Sequence, residues 1–149
     1  MLKLSTRGLY GIKALYELAH SYGDKPVNIR EISNRHGMPV PFLEQVLHRL
    51  KRKGLVKSRR GINGGYFLSR PPGMITIGDA VRALEGPIAL CDCLIHTKQR
   101  GRRVEKEAHC VTSNIYRKLG TIVESAFDSI TLLELSEEHM SDKHTGTCK

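Results

Sequence analysis

The sequence predicts a mainly α-helical protein with a small β-hairpin, and three observations support this fold class. Of its 149 residues, 40% are apolar, 5% are aromatic and none is Trp, which suits helices packed through aliphatic side chains better than a β-sandwich. Apolar residues recur at helical spacing in three segments before residue 54. A glycine-rich run over 61–65, which contains an Asn-Gly pair, then separates two short strand-like segments.

The first predicted helix covers 6–22, with Ser5 or Thr6 as its cap and Gly23 as its stop signal. Its predicted buried stripe contains Leu9, Ile12, Tyr16 and Ala19, widened by Leu15 and Leu18.

Two further helices follow at short intervals. Helix 2 begins at Asn28, which forms a capping-box pattern with Glu31, and it ends near Gly37. Helix 3 begins near Pro41, a residue favoured in a first helical turn, and ends at Gly54. Its predicted buried face consists of Leu43, Val46, Leu47 and Leu50.

Segments 55–59 and 66–70 are predicted strands, joined by a turn in which Asn63 and Gly64 both take positive φ. A short helix over 76–85 follows, capped by Thr76 and ended by Gly86. The order helix, helix, turn, helix, hairpin is the winged helix-turn-helix plan. We therefore assign 1–86 to one winged helix-turn-helix domain.

The positive charge is concentrated in the same half of the chain. Residues 1–70 hold fourteen Lys and Arg against four acids, whereas residues 71–149 hold ten against eleven. A one-sided basic excess on a helix-turn-helix pattern indicates a surface for phosphate. No helix pairs a basic face with bulky aromatic anchors, so double-stranded DNA is favoured over a membrane surface.

Helix 3 supplies the candidate base contacts, because an α-helix fits the major groove. Gln45 suits adenine and Glu44 suits the cytosine amino group, whereas Arg49, Lys51 and Arg52 suit phosphates. In the hairpin, Arg59 and Arg60 lie beside glycines that allow close approach to a groove. The predicted DNA-contact set is Pro41, Phe42, Glu44, Gln45, His48, Arg49, Arg52, Ser58, Arg59, Arg60, Asn63, Gly64 and Tyr66.

A long helix is predicted over 112–136, followed by a flexible tail over 137–149. The average spacing of 3.5 along this helix is typical of a coiled-coil seam, although Ser129 interrupts it. The seam residues are Ile115, Leu119, Ile122, Ala126 and Leu133. The pattern favours a homodimer over a helix that packs only on its own domain.

The cysteines lie in the C-terminal half, three of them within a candidate sensor loop over 87–111. No apolar run reaches the roughly 18 residues of a membrane span, and the N-terminus lacks a secretory segment, so we expect a cytoplasmic protein. Structural disulfides are disfavoured in that compartment. Cys91, Cys93 and Cys110 are therefore candidates for metal, cluster or redox chemistry, and the cations Lys98, Arg100, Arg102, Arg103 and Lys106 would favour their thiolates.

Five stretches resemble the Rrf-two (Rrf2) family of winged helix-turn-helix transcription regulators. They are LSTRGLYGIKAL at 4–15, FLEQ at 42–45, LKRKGLVKS at 50–58, RGINGGYFL at 60–68 and ITIGDA at 75–80. The resemblance covers roughly 1–135. It implies a dimer on a palindromic operator, with the long C-terminal helix as the dimer interface. It also implies an iron–sulfur cluster, which many members hold with three loop cysteines and use to change DNA affinity.

The cysteine loop departs from the common family pattern of three cysteines at nearly even intervals. Here a single residue separates Cys91 from Cys93, and sixteen residues separate Cys93 from Cys110. Ser113 and Gly8 stand where some members have a histidine or an acidic ligand. The fourth ligand stays open among His96, His109, the second cysteine of the 91/93 pair and Cys148.

Our hypothesis is a cluster, 2Fe-2S or 4Fe-4S, on Cys91, Cys93 and Cys110 that switches operator affinity. The alternatives are a thiol-redox sensor without metal, a zinc site, inert cysteines, or a repressor controlled by a partner protein. No nucleotide-binding loop, zinc-hydrolase helix or nucleophile triad occurs, so neither an enzyme nor a small-molecule substrate is expected.

Overall fold

The computed structural model describes residues 4–88, 90 and 112–142, which form six α-helices, a 3₁₀ turn and one two-stranded antiparallel hairpin. The elements are α1 (Thr6–His20), α2 (Ile29–His36), α3 (Val40–Arg52), β1 (Val56–Arg59), β2 (Gly65–Leu68), the 3₁₀ turn (Pro72–Met74), α4 (Ile77–Glu85), α5 (Ser113–Ser129) and α6 (Leu132–Asp142). The predicted mainly helical fold with a hairpin is confirmed. Within the described ranges, none of the helices combines the length and the apolar character that crossing a bilayer requires.

Side-chain caps fix where the helices begin, largely as the sequence predicts. Ser5 accepts a hydrogen bond from the Gly8 N–H at the start of α1. Thr76 and Asp79 form a reciprocal capping box at the start of α4. Asn28 caps α2 by accepting from the Arg30 N–H, so the predicted cap is present, although it reaches the second helical residue instead of Glu31.

The buried face of α1 differs in part from the predicted stripe. Leu15, Leu18 and Ala19 are buried as predicted, together with Ala14, but Leu9 is 47% exposed. Periodicity predicts that one face of α1 is buried, but it does not choose between two neighbouring stripes that are both apolar. Gly11 decides between them, because a Cβ there would lie 2.0 Å from Leu84 Cδ1 and would prevent α4 from packing on α1.

The helix-turn-helix unit of α2 and α3 is attached to α1 by a buried carboxylate. Glu17 is 5% exposed, and its two oxygens contact Arg35 Nη1 at 2.6 Å and His36 Nε2 at 2.8 Å. A buried carboxylate needs such partners, because losing water without them is costly. This contact fixes the C-terminal end of α2, where Gly37 in a left-handed conformation turns the chain toward α3.

The hairpin pairs Val56 with Leu68 and Arg59 with Gly65, which leaves five residues, 60–64, in its loop. The prediction that Gly64 takes a positive φ is wrong, and within this hairpin the glycines with positive φ are Gly61 and Gly65. The Gly64 N–H bonds to the Gly61 carbonyl at 2.9 Å. A two-residue Asn-Gly turn would require β1 to continue to Ile62, whereas β1 ends at Arg59.

The predicted continuous helix over 112–136 is two helices. The chain is extended at Ile130, after which Thr131 and Glu134 form a reciprocal cap at the start of α6. The Ile77 N–H bonds to the Ile130 carbonyl at 2.8 Å, and the Leu132 N–H bonds to the Ile75 carbonyl at 2.9 Å. We call this pair of backbone bonds the α5–α6 clasp. Residues 137–142, predicted as tail, are the last turns of α6.

Leu132, directly after the clasp, is fully buried in the same core as Leu15 and Leu84. Beside it, Asp128 of α5 forms an ion pair with Arg82 of α4, and this hydrogen bonding holds the pKa of the Asp128 carboxyl below its ordinary value. Because the folded pKa is the lower one, the stabilisation is present at neutral pH and is lost as the pH falls through the folded pKa. The C-terminal helices are thus fixed to the N-terminal domain by core packing, backbone bonds and an ion pair.

Candidate nucleic-acid interface

Helix α3 separates its apolar and polar residues onto opposite faces. Leu43, Val46, Leu47 and Leu50 are buried, as predicted. The exposed residues are Pro41, Glu44, Gln45, His48, Arg49, Lys51 and Arg52. A helix that is anchored by one face and presents amide, carboxylate and guanidinium groups on the other can place donors and acceptors against base edges.

The hairpin lies directly beside this exposed face. Lys51 Nζ donates to Ser58 Oγ at 2.7 Å, which joins the end of α3 to β1. Tyr66 of β2 lines the same groove as Glu44. Partial burial and, second, the charge of Glu44 raise the pKa of the Tyr66 phenol. The phenol therefore keeps its proton at neutral pH and is available as a donor.

An open groove runs along α3 and ends at the hairpin. Its lining residues are Pro41, Glu44, Gln45, His48, Arg49, Arg52, Lys53, Tyr66 and Ala83. Seven of these nine belong to the predicted DNA-contact set. Lys53 does not, and the signal that could have found it is the unbroken cationic run 51–53 at the end of α3. Cations at a helix C-terminus also interact favourably with the helix dipole.

The hairpin loop lines a second groove with the turn between α1 and α2. Arg59, Asn63 and Gly64 from the predicted set lie here, together with Ile62 and Lys25. Ser58 and Arg60 are exposed on the same hairpin. Phe42 differs from the others, since it is half-buried and its ring meets that of Tyr10 edge-on at 5.4 Å between centroids. Phe42 thus helps to orient α3 on α1.

Besides its pairing with β1, strand β2 forms an isolated bridge with Val27, which lies just before α2. The amide and carbonyl groups of Val27 and Tyr66 exchange two hydrogen bonds of 2.9 Å. Gly65 permits this close approach, because a Cβ there would lie 2.4 Å from the Val27 carbonyl oxygen. The hairpin orientation relative to α3 therefore depends on a glycine at this position.

We expect Gly65→Ala to destabilise the fold by about 1–3 kcal/mol, since the collision with Val27 must be relieved by backbone strain. Gly37→Ala is the matched control, because Gly37 also has positive φ but has no atom within 4 Å of the added Cβ. Urea unfolding of both variants measures the difference. Equal losses of unfolding free energy would contradict the proposed collision.

The candidate metal ligands Cys91, Cys93 and Cys110 lie outside the described residues, as does Cys148. Among the residues that are described, no group of three His, Cys, Asp or Glu side chains is placed to hold a metal ion. Gly8 is buried, and the Glu85 carboxylate lies against it, with Ser5 donating to that carboxylate.

The helix-turn-helix, the exposed α3 face and the adjacent basic hairpin define a winged helix-turn-helix DNA-binding protein. The chain belongs to the Rrf2 family, described as "Iron-dependent Transcriptional regulator", which it matches over residues 4–138. It is thus a DNA-binding transcriptional regulator and not an enzyme, and the resemblance seen in the sequence is confirmed.

Individual relatives share the family and most of the length. The HTH-type transcriptional regulator CymR of Bacillus subtilis (strain 168) is 34% identical over 135 residues, which cover 91% of this chain and 90% of CymR. The HTH-type transcriptional regulator IscR of Yersinia enterocolitica is 31% identical over 134 residues, which cover 90% and 79%. The solved structure of CymR (YrzC), the global cysteine regulator of B. subtilis, matches with a TM-score of 0.74 at 35% identity and covers 93% of this chain and 98% of that one.

Proposed function

We propose that this regulator is a cytoplasmic homodimer that binds a palindromic operator and changes its operator affinity through an iron–sulfur cluster. Residues 1–86 would form the DNA-binding domain and 87–111 the sensor loop. The observation that carries the DNA-binding part is the exposed polar face of α3 beside the hairpin, which we now call the wing. Most of the predicted base and phosphate contacts line the two grooves, which supports this part of the proposal.

The exposed apolar side of α5 supports the homodimer. Ile115, Leu119 and Ile122 remain exposed, with Ile122 at 64%, although Val123 and Phe127 of the same helix pack against the core. Residues at 115, 119, 122 and 126 share one helical face, since each residue advances by about 100°. A contiguous apolar stripe of this kind is typical of an interface, and a second copy would supply the same stripe.

Arg60→Ala should lower operator affinity and also flatten its dependence on salt, because a protein with fewer phosphate contacts releases fewer counterions when it binds. Fluorescence anisotropy with a duplex selected by the protein, titrated with KCl, measures both quantities. Arg117→Ala is the control, since Arg117 is equally exposed but belongs to α5. A salt dependence equal to that of the wild type would exclude Arg60 as a phosphate contact.

The thiol chemistry of the loop supports the cluster part of the proposal. Cys91, Cys93 and Cys110 are the residue type that most often ligates iron–sulfur clusters, and the nearby cations would stabilise a net anionic cluster. Relatives that include IscR, and a family described as iron-dependent, are in keeping with this chemistry. A bound cluster would supply a redox- or iron-sensitive change of charge and ligation in the loop between α4 and α5.

Anaerobically purified protein should be brown, should contain iron and acid-labile sulfide, and should lose both in Cys110→Ala. Asn114→Ala is the control, because Asn114 is exposed close to Cys110 in the sequence and is none of the candidate ligands, so this variant should keep the cluster. Colourless protein without iron would refute the cluster. A thiol-redox or partner-controlled repressor would then be the remaining function, and an operator affinity unchanged by thiol oxidation would separate the second from the first.

A further inference from the structure

The tip of the wing carries an apolar side chain that the fold does not use. Ile62 is fully exposed, more than any other large hydrophobic residue in the described part of the chain. Single exposed apolar side chains are common on protein surfaces. What distinguishes Ile62 is its position at the tip of a turn, next to two cations. Arg59 and Arg60 precede it and are themselves exposed.

The tip is held in a defined conformation. The hydrogen bond from Gly64 N–H to the Gly61 carbonyl closes a four-residue turn with Ile62 and Asn63 at its two central positions. A Cβ at Gly64 would lie 2.3 Å from the Arg59 carbonyl oxygen, so the turn is as tight as glycine allows. Because the turn is closed in this way, little conformational entropy is lost when Ile62 makes a contact.

We propose that Ile62 enters the DNA minor groove and contacts the apolar sugar walls and the groove floor, so that it selects A·T over G·C pairs beneath the wing. This inference rests on the proposed binding of operator DNA. The guanidinium groups of Arg59 and Arg60, which precede the tip, favour phosphate beside it, and this supports DNA over an apolar protein partner. The minor groove is about 6 Å wide, which admits one branched side chain between two backbones.

The selectivity follows from what each base pair shows in that groove. A G·C pair adds the guanine 2-amino group to the floor, whereas an A·T pair has no donor there. The branched sec-butyl side chain of Ile62, pressed against the 2-amino group, would bury a donor without a partner, which costs free energy. Ile62 therefore acts by exclusion, and α3 reads its bases independently in the major groove.

The test combines one protein change with one DNA change. The probe is a duplex enriched by the wild-type protein from a random pool, with the wing position mapped by hydroxyl-radical protection. Replacing adenine by 2,6-diaminopurine there adds the 2-amino group and leaves the major-groove edge unchanged. Wild-type affinity should fall about tenfold, which corresponds to about 1.4 kcal/mol. Ile62→Ser should bind the unmodified duplex about tenfold more weakly and should discriminate less than about twofold between the duplexes.

Met74→Ser is the matched control, because Met74 is 67% exposed but lies in the 3₁₀ turn beyond the wing, and it should discriminate as the wild type does. Equal discrimination by wild type and Ile62→Ser would overturn the proposal. So would a weaker Ile62→Ser with a flatter salt dependence, since phosphate contacts would then be the cause. Unchanged duplex binding with lost binding to phosphatidylserine vesicles would assign the tip to a membrane instead. If the wild type enriches no duplex, the proposed function itself fails.

Discussion

Ile122→Asp should convert the proposed dimer into a folded monomer and lower operator affinity by at least about 100-fold. Ile122 is 64% exposed and contributes nothing to the core of its own chain, so a carboxylate there is solvated in the monomer. In a dimer the same carboxylate would be buried against the partner stripe, which is strongly unfavourable. Affinity falls because a separate protein molecule must then bind the second half-site, without the effective concentration that a linked partner provides.

Sedimentation equilibrium, circular dichroism and anisotropy on one preparation would measure mass, fold and affinity together. Thr121→Asp is the matched control, since Thr121 is exposed on the same helix but about 100° away from Ile122. It should remain dimeric and bind normally. A dimeric Ile122→Asp variant with wild-type affinity would show that this side of α5 is not the interface.

Leu132→Ala should lower the free energy of unfolding by about 2–5 kcal/mol, the range expected when a fully buried leucine is replaced and a cavity remains. Leu132 is fully buried and lies in the core beside residues of α1 and α4. Its loss removes the main apolar attachment of α6 to the N-terminal domain. Denaturant unfolding at a fixed protein concentration is required, because the stability of an oligomer depends on that concentration.

The adjacent Leu133 provides the control for this experiment. It is 42% exposed and lies in α6, beyond the break that separates it from the apolar stripe of α5, so Leu133→Ala should change the unfolding free energy by less than about 1 kcal/mol. Similar effects of the two alanine substitutions would mean that α6 is not anchored through Leu132. The helix pair would then be attached chiefly by the α5–α6 clasp and by the Arg82–Asp128 ion pair.

The helix-turn-helix and its polar face could be predicted because local signals and tertiary demands agree there. The helical spacing of this segment predicts a single buried face, which consists of Leu43, Val46, Leu47 and Leu50. The exposed polar face could therefore be predicted as the opposite side of the same helix. Leu9 shows where this reasoning fails. Two apolar stripes of α1 compete, and the choice is made by α4, whose Leu84 packs against Gly11 from a distant part of the sequence.

The break between α5 and α6 had a local signal that the heptad spacing obscured. Thr131 and Glu134 have the same spacing as the Thr76–Asp79 capping box, which the sequence did predict correctly as a helix start. The apolar residues from Ile115 to Leu133 keep an average spacing of 3.5 across the break, and this spacing is compatible with one continuous helix or with two. The backbone bonds to Ile75 and Ile77, which carry no sequence signature, hold the chain extended at Ile130 and thus select two helices.

The clasp has an evolutionary consequence, because it is built from main-chain groups and survives substitution of the side chains at its ends. In the proposed dimer, mutations along the outer stripe of α5 would therefore alter which copies associate, while the clasp would hold the angle at which that helix leaves the DNA-binding unit. Duplicated genes of this architecture would then diverge into separate, non-mixing pairs that still recognise half-sites at a common separation.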